Sequence, residues 1–155
     1  MCLIVLSGCF STEGTGVLLL QITDAPPDLN ISKALVNISN IEVHLIGSGW
    51  QTVVEERQLF DLIMLKNVKE ILGNVTLSAG RYTQIRFQID DALVVIDGVE
   101  YNLKILSDKI QLISPFSINN NKTTTLTLDF DIEKSVFSTG SNKYMMKPTI
   151  KVIQE

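Results

Sequence analysis

Apolar and polar residues alternate with period two along most of the chain. In 82–90, Thr83, Ile85, Phe87 and Ile89 fall on one face while Gln84, Arg86 and Gln88 fall on the other. That pattern predicts a half-buried antiparallel strand. Segment 125–131 repeats it, with Leu126, Leu128 and Phe130 inward and Thr127 and Asp129 outward. A last strand is expected over 144–153, with Ile150 and Val152 opposite Thr149, Lys151 and Ile153. Segment 17–23 is apolar on both faces at first, as suits a central or covered strand. Across 36–46 the phase changes: Val36 and Ile38 share one parity, whereas Ile41, Val43 and Leu45 take the other. One extra residue near Ser39-Asn40, a β-bulge, would switch the faces. Asp97-Gly98 stands between the apolar runs 92–96 and 99–105 and predicts a type I′ hairpin, whose two central residues both need positive φ. A second polar turn is expected at 119–122. Helical spacing is found only in 58–72, where Leu59, Leu62, Ile63, Ile71 and Leu72 could form a stripe interrupted by Asn67; one or two turns over a sandwich edge are expected.

Many short strands, turn signals every 8 to 12 residues or so and no strand–helix alternation define the expected fold class. It is all-β: an antiparallel β-sandwich with immunoglobulin-like or transthyretin-like Greek-key links and one short helix. The chain has 155 residues, enough for one domain that hides roughly 70% of its unfolded surface without disulfides or metals. With 45% hydrophobic and 19% charged residues it is not a disordered chain, and a net charge of −4 shows no electrostatic footprint for nucleic acid or an anionic membrane.

The first nine residues, MCLIVLSGC, resemble the end of a lipoprotein signal peptide. Leu6, Ser7 and Gly8 fill the lipobox positions and Cys9 would carry the lipid anchor. Each buried methylene of such an anchor contributes about 0.8 kcal/mol. A basic n-region is missing and the apolar run is short, so the true initiator is expected upstream; the alternative is an apolar N-terminus with an incidental cysteine. Residues 10–16 then form a tether and 17–155 the domain. Cys2 would leave with the signal, so the body would hold no thiol, which suits an extracytoplasmic, cell-surface protein, lipid-anchored or secreted.

The order of several landmarks resembles the archaeal and bacterial family known as domain of unknown function 4382. They are Gly16-Val17-Leu18, Thr23-Asp24-Ala25-Pro26, Trp50 after a glycine loop, and Asp61-Leu62-Ile63-Met64-Leu65. Then follow Ala79-Gly80-Arg81-Tyr82 with Gln84-Ile85-Arg86, Asp97-Gly98, Asp129-Phe130-Asp131 with Ser135, and Tyr144 with Lys147-Pro148. The resemblance implies a secreted or lipid-anchored β-sandwich and brings no catalytic residue.

The side chains argue for binding rather than catalysis. His44 is the single histidine, shares a face with Glu42 and Ile46, and is read as a surface or edge residue; no Gly-x-Ser-x-Gly elbow accompanies it. Two carboxylates could serve a glycosidase, but nothing in the pattern brings two into a cleft. No enzyme and no cofactor is therefore expected. Asp24, Asp129 and Asp131 are the candidate calcium ligands, against the plainer reading of solvated or turn-capping acids. Asp90-Asp91 reads as a polar strand terminus. Trp50 follows Gly47-Ser48-Gly49 and could be an exposed stacking platform for sugar; its shared parity with Thr52 and Val54 favours the core. Tyr82 stands at a corner where a tyrosine commonly bonds to backbone. Tyr101 and Tyr144 have no visible partner. Asn30, Asn37, Asn74 and Asn121 head four glycosylation sequons, or are ordinary polar strand positions.

The expected function is a non-catalytic surface module that binds an envelope protein or glycan or builds the envelope, touching the membrane only through its anchor. Alternatives are a filament subunit that self-associates through its N-terminal strand, and a sugar- or calcium-dependent adhesin.

Overall fold

A computed structural model describes residues 14–24 and 30–155. The expected lipobox and Cys9 lie outside the described residues. The all-β class holds. Two main sheets bury one shared hydrophobic cluster between them, and a small third sheet adds Val136 and Met146 to it.

The first sheet has the order β13-β10-β1-β5, with β1 at Thr15–Asp24, β5 at Glu70–Ser78, β10 at Thr123–Phe130 and β13 at Ile150–Gln154. β1 is central, as expected, and its even-numbered residues Leu18, Leu20 and Ile22 are fully buried. It begins at Thr15 and pairs there with Ser78, so Thr15 and Gly16 belong to the sheet and not to a tether. Its pairing corrects the antiparallel expectation: β1 runs parallel to β10, from Val17 opposite Thr123 to Asp24 opposite Phe130. On β10, Leu126, Leu128 and Phe130 point inward as expected. Thr127 is buried too, against expectation, because β1 and β13 flank the strand on both sides.

The second sheet is built on two long strands, β2 (Ile31–Leu45) and β6 (Gly80–Ile96). β2 is flanked by β3 (Gly49–Val54) and β4 (Gln58–Asp61); β6 is flanked by β7 (Val99–Asn102) and β9 (Lys109–Ile118). The expected bulge is present: the β2–β6 register shifts between Ser39 and Glu42, with Asn40 at φ 50°. Ile38 and Ile41 are therefore both fully buried. A second bulge corrects the assignment of Asp90-Asp91. The strand does not end there; Asn37 pairs with Asp91 and Ile38 with Ile89, leaving Asp90 as the extra residue, and β6 continues to Ile96. A third irregularity near Tyr82 turns that ring inward in place of Thr83. The Asp97-Gly98 hairpin forms with φ of 50° and 78°, the conformation a type I′ turn needs.

Segment 58–72 keeps one helical turn of the one or two expected, without the apolar stripe. It divides into β4, one 3₁₀ turn at Leu62–Leu65 and the start of β5. Leu59 and Ile71 are 59% and 58% exposed, so no helical stripe is realised; Phe60, Leu62, Leu65 and Leu72 supply the burial instead. Asp61 caps the turn, accepting from the Ile63 amide at 3.2 Å and from the Ala34 amide at 3.1 Å. The one α-helical turn among the described residues, α1 at Ile132–Ser135, lies elsewhere. The expected 144–153 strand is likewise two: β12 (Tyr144–Met146) joins the small sheet with β11 (Val136–Ser138) and β8 (Lys104–Ile105), while β13 joins the first sheet. Pro148, which has no amide hydrogen to donate to a ladder, stands between them.

Gly73 shows how close the two sheets approach at one corner. A β-carbon there would lie 2.8 Å from a Val53 methyl, so a larger residue would push β5 away from β3.

Candidate functional site

The bulge at Asn40 fixes which residues of the second sheet face outward. Beyond it, Ile41, Val43 and Leu45 point into the core, so Glu42 and His44 point out. On β6 the outward set is Gln84, Arg86 and Gln88. Register then sorts these residues into cross-strand rows. One row runs Trp50, His44, Gln84, Ile113; the next runs Thr52, Glu42, Arg86, Gln111. Side chains opposite one another on one face lie within contact distance.

Arg86 is the hub of this face. Its Nε donates to Glu42 Oε2 at 2.5 Å, and its guanidinium carbon lies 3.8 Å from the centroid of the Trp50 ring. His44 meets the same indole edge-on, with centroids 5.0 Å apart and planes at 76°, and its Nδ1 lies 3.5 Å from the Thr83 hydroxyl. The Gln111 amide donates to Gln84 Oε1, and Asn40 donates to Gln88 at 3.2 Å. A partly exposed ion pair contributes up to about 1 kcal/mol and a surface cation–π contact about 0.5–1 kcal/mol. These contacts position side chains more than they stabilise the fold. Beside them opens a groove of about 360 Å³ lined by Asn40, Glu42, Arg86, Gln88, Lys109 and Gln111. Ile113, at 83% exposure, is the apolar end of the first row.

Trp50 is therefore not a core residue. It is half-buried on the outer face with Arg86 against it. His44 is on the outer face as expected, but β2 is an interior strand, not an edge. Tyr82 follows its expectation: its hydroxyl donates to the Ser78 carbonyl at 2.8 Å, the ring stacks on Phe116 at 5.2 Å, and burial raises its pKa. Tyr101 and Tyr144 do have partners, each other, with ring centroids 4.5 Å apart.

The three aspartates proposed for calcium have separate roles. Asp24 is 3% exposed and its Oδ1 accepts from the Ile132 amide at 3.2 Å. Asp131 caps α1, accepting from the Lys134 amide at 3.0 Å. Asp129 pairs with Lys151 across the β10–β13 ladder, and its pKa is raised, first by burial and then by the nearby Asp131 charge. Among the described residues no group of three or more histidines, cysteines or acids is placed to hold a metal ion. Alternation along a strand puts Asp129 and Asp131 on one parity; it does not reveal that the strand ends between them at Phe130.

Of the sequon asparagines, Asn121 is exposed in the β9–β10 turn at φ 58° and Asn74 is exposed on β5. Asn30 donates to Asp97 at 2.6 Å and Asn37 to Asp91 at 2.7 Å. The Arg86–Glu42 pair does not follow from the linear pattern alone. Its signal was the two outward parities, but pairing them required the β2–β6 register, which the bulges shift.

An all-β sandwich with one polar, cross-strand outer face is the class these features define. The model of the family described as domain of unknown function (DUF4382) matches residues 15–148, and the chain belongs to that family. No curated protein and no solved structure matches the chain. No described helix is long and apolar enough to cross a membrane.

Proposed function

We propose that this protein is a non-catalytic extracytoplasmic module, lipid-anchored at Cys9, that presents the outer face of its second sheet to a cell-envelope partner. The observation carrying this reading is the Glu42–Arg86–Trp50 cluster. The acid beside the groove is occupied by Arg86, and the one histidine contacts Thr83 and Trp50. Such an arrangement favours a rigid contact surface over proton transfer. The lipobox-like LSGC at residues 6–9 supports the anchor. Two experiments test the two parts. The full chain is expected in the membrane fraction and Cys9→Ser in the soluble fraction; equal partition overturns the anchor. Arg86→Ala is expected to weaken retention on isolated host envelopes by about tenfold, as removal of a charge-assisted contact does; unchanged retention overturns the contact face.

A second reading, the filament subunit, is favoured by one observation. Among the described residues β5 pairs with a strand on one side only, β1, apart from a Gln58 side-chain bond to the Leu72 carbonyl at 2.8 Å. The Ala79 amide bonds to the Gly14 carbonyl at 2.8 Å, so the first described residue lies beside the end of this edge strand. Strand addition uses such edges. Sedimentation of the full chain and of a chain lacking residues 1–13 discriminates: fibres from the first and monomers from the second favour it, and monomers from both overturn it.

A further inference from the structure

A second hollow, of about 520 Å³, lies between the β7–β8 segment and the turn joining β11 to β12. Its size falls within the roughly 300–1,000 Å³ of small-molecule sites. The Tyr101 and Tyr144 rings, both half-buried, line it and meet at 58°. Lys104 and Lys143 line it too. Both are exposed, and neither forms an ion pair among the described residues. Asn102 and Asn142 add amides, and Glu100 is the single acid of the lining. The hollow thus carries two cations against one carboxylate, on a chain whose net charge is −4.

The turn that presents Asn142 and Lys143 is held in shape. Gly140, Ser141 and Asn142 take φ of 84°, 52° and 56° in succession. The Thr139 amide donates to the Lys143 carbonyl at 2.9 Å and the Lys143 amide to the Gly140 carbonyl at 3.1 Å. Gly140 takes this conformation freely, whereas for Ser141 and Asn142 it costs backbone free energy, which those bonds offset. A turn so fixed sets the backbone from which Asn142 and Lys143 project before any ligand arrives, which lowers the backbone part of the ordering cost of binding.

We infer that this hollow is a binding site for an acidic saccharide of the uronate type. Tyrosine rings offer a negative π-face to the weakly positive C–H groups of a pyranose. Rings set at 58° form a corner rather than the parallel slot that would clamp a flat nucleobase. Asparagine amides both donate and accept, which matches sugar hydroxyls, and the free ammonium groups match a carboxylate. Nothing here depends on the anchor at Cys9 or on the Arg86 face.

Trigalacturonate, neutral galactotriose and inorganic phosphate are titrated separately into the full chain, with amide resonances and heats recorded. Trigalacturonate is expected to shift residues 100–104 and 139–145. The exposed double variant Lys104→Gln/Lys143→Gln should bind it about tenfold more weakly or worse, and Tyr144→Leu should weaken trigalacturonate and galactotriose alike. Shifts confined to the Arg86 face, phosphate binding as tightly as the trisaccharide, or unchanged affinity in the lysine variant would each overturn the assignment.

Discussion

The two halves of the β2–β6 ribbon share their two strands but not their flanking strands or outer surfaces. In the half between β3 and β9, the outward residues are Glu42, His44, Gln84, Arg86 and Gln88. In the half between β4 and β7, Leu35 pairs with Leu93 on the outer side and Lys33 pairs with Val95. The inner side is apolar in both halves: Ile38, Val43, Ile85 and Val94 are all fully buried. Between the halves lie the bulged residues Asn40 and Asp90. A continuous period of two would turn the core of one half to water. The bulges keep the inner face greasy throughout while letting one outer half become a polar contact surface.

Deleting Asn40 should break this arrangement most severely. The shift turns Ile41, Val43 and Leu45 outward, and each burial contributes about 1.5–3 kcal/mol. Their sum rivals the total stability of an ordinary domain, about 5–15 kcal/mol, so circular dichroism should show no cooperative melt. A native-like melt would mean the register is set elsewhere. Ile85→Ala should cost about 2–5 kcal/mol in urea unfolding, whereas its outward neighbour Arg86→Ala should cost less than about 1 kcal/mol. Equal costs would erase the inner–outer contrast. In the hairpin that ends the second half, Gly98→Ala should cost about 1–2 kcal/mol, because φ 78° strains an L-residue.

The smallest effect concerns the other sheet. Burial raises the pKa of Asp129 above its ordinary 3.8. The folded state then holds the proton more tightly than the unfolded state does. Asp129's contribution is fully favourable below 3.8 and is lost as pH rises through the folded value. Asp129→Asn should remove that slope, so the difference in melting temperature, wild type minus variant, should fall as pH rises through that window. A difference that instead rises with pH would reverse the assigned direction.

The core was largely legible because period-two alternation is a local signal. Leu126, Leu128, Ile85 and Phe87 could be placed inward from sequence alone, and so could the Asn40 bulge and the Asp97-Gly98 turn, which need particular backbone angles. Segment 58–72 misled because Leu59 and Ile71 mimic a helical stripe although both face solvent. The Arg86–Trp50 contact and the Tyr101–Tyr144 pair could not be read, since each joins residues distant in sequence through register or through two separate sheets. The parallel β1–β10 pairing was hidden for the same reason.

That pairing bears on how the molecule acquires its shape. β1 meets β10 across 106 residues, and closing so wide a loop is slow compared with forming local hairpins. During synthesis the first strand emerges early yet cannot complete its sheet until Thr123–Phe130 has been made. The polypeptide therefore commits late, with the ribbon assembling before the layer that covers it, and any premature stop ahead of Phe130 leaves an apolar strand open to its neighbours.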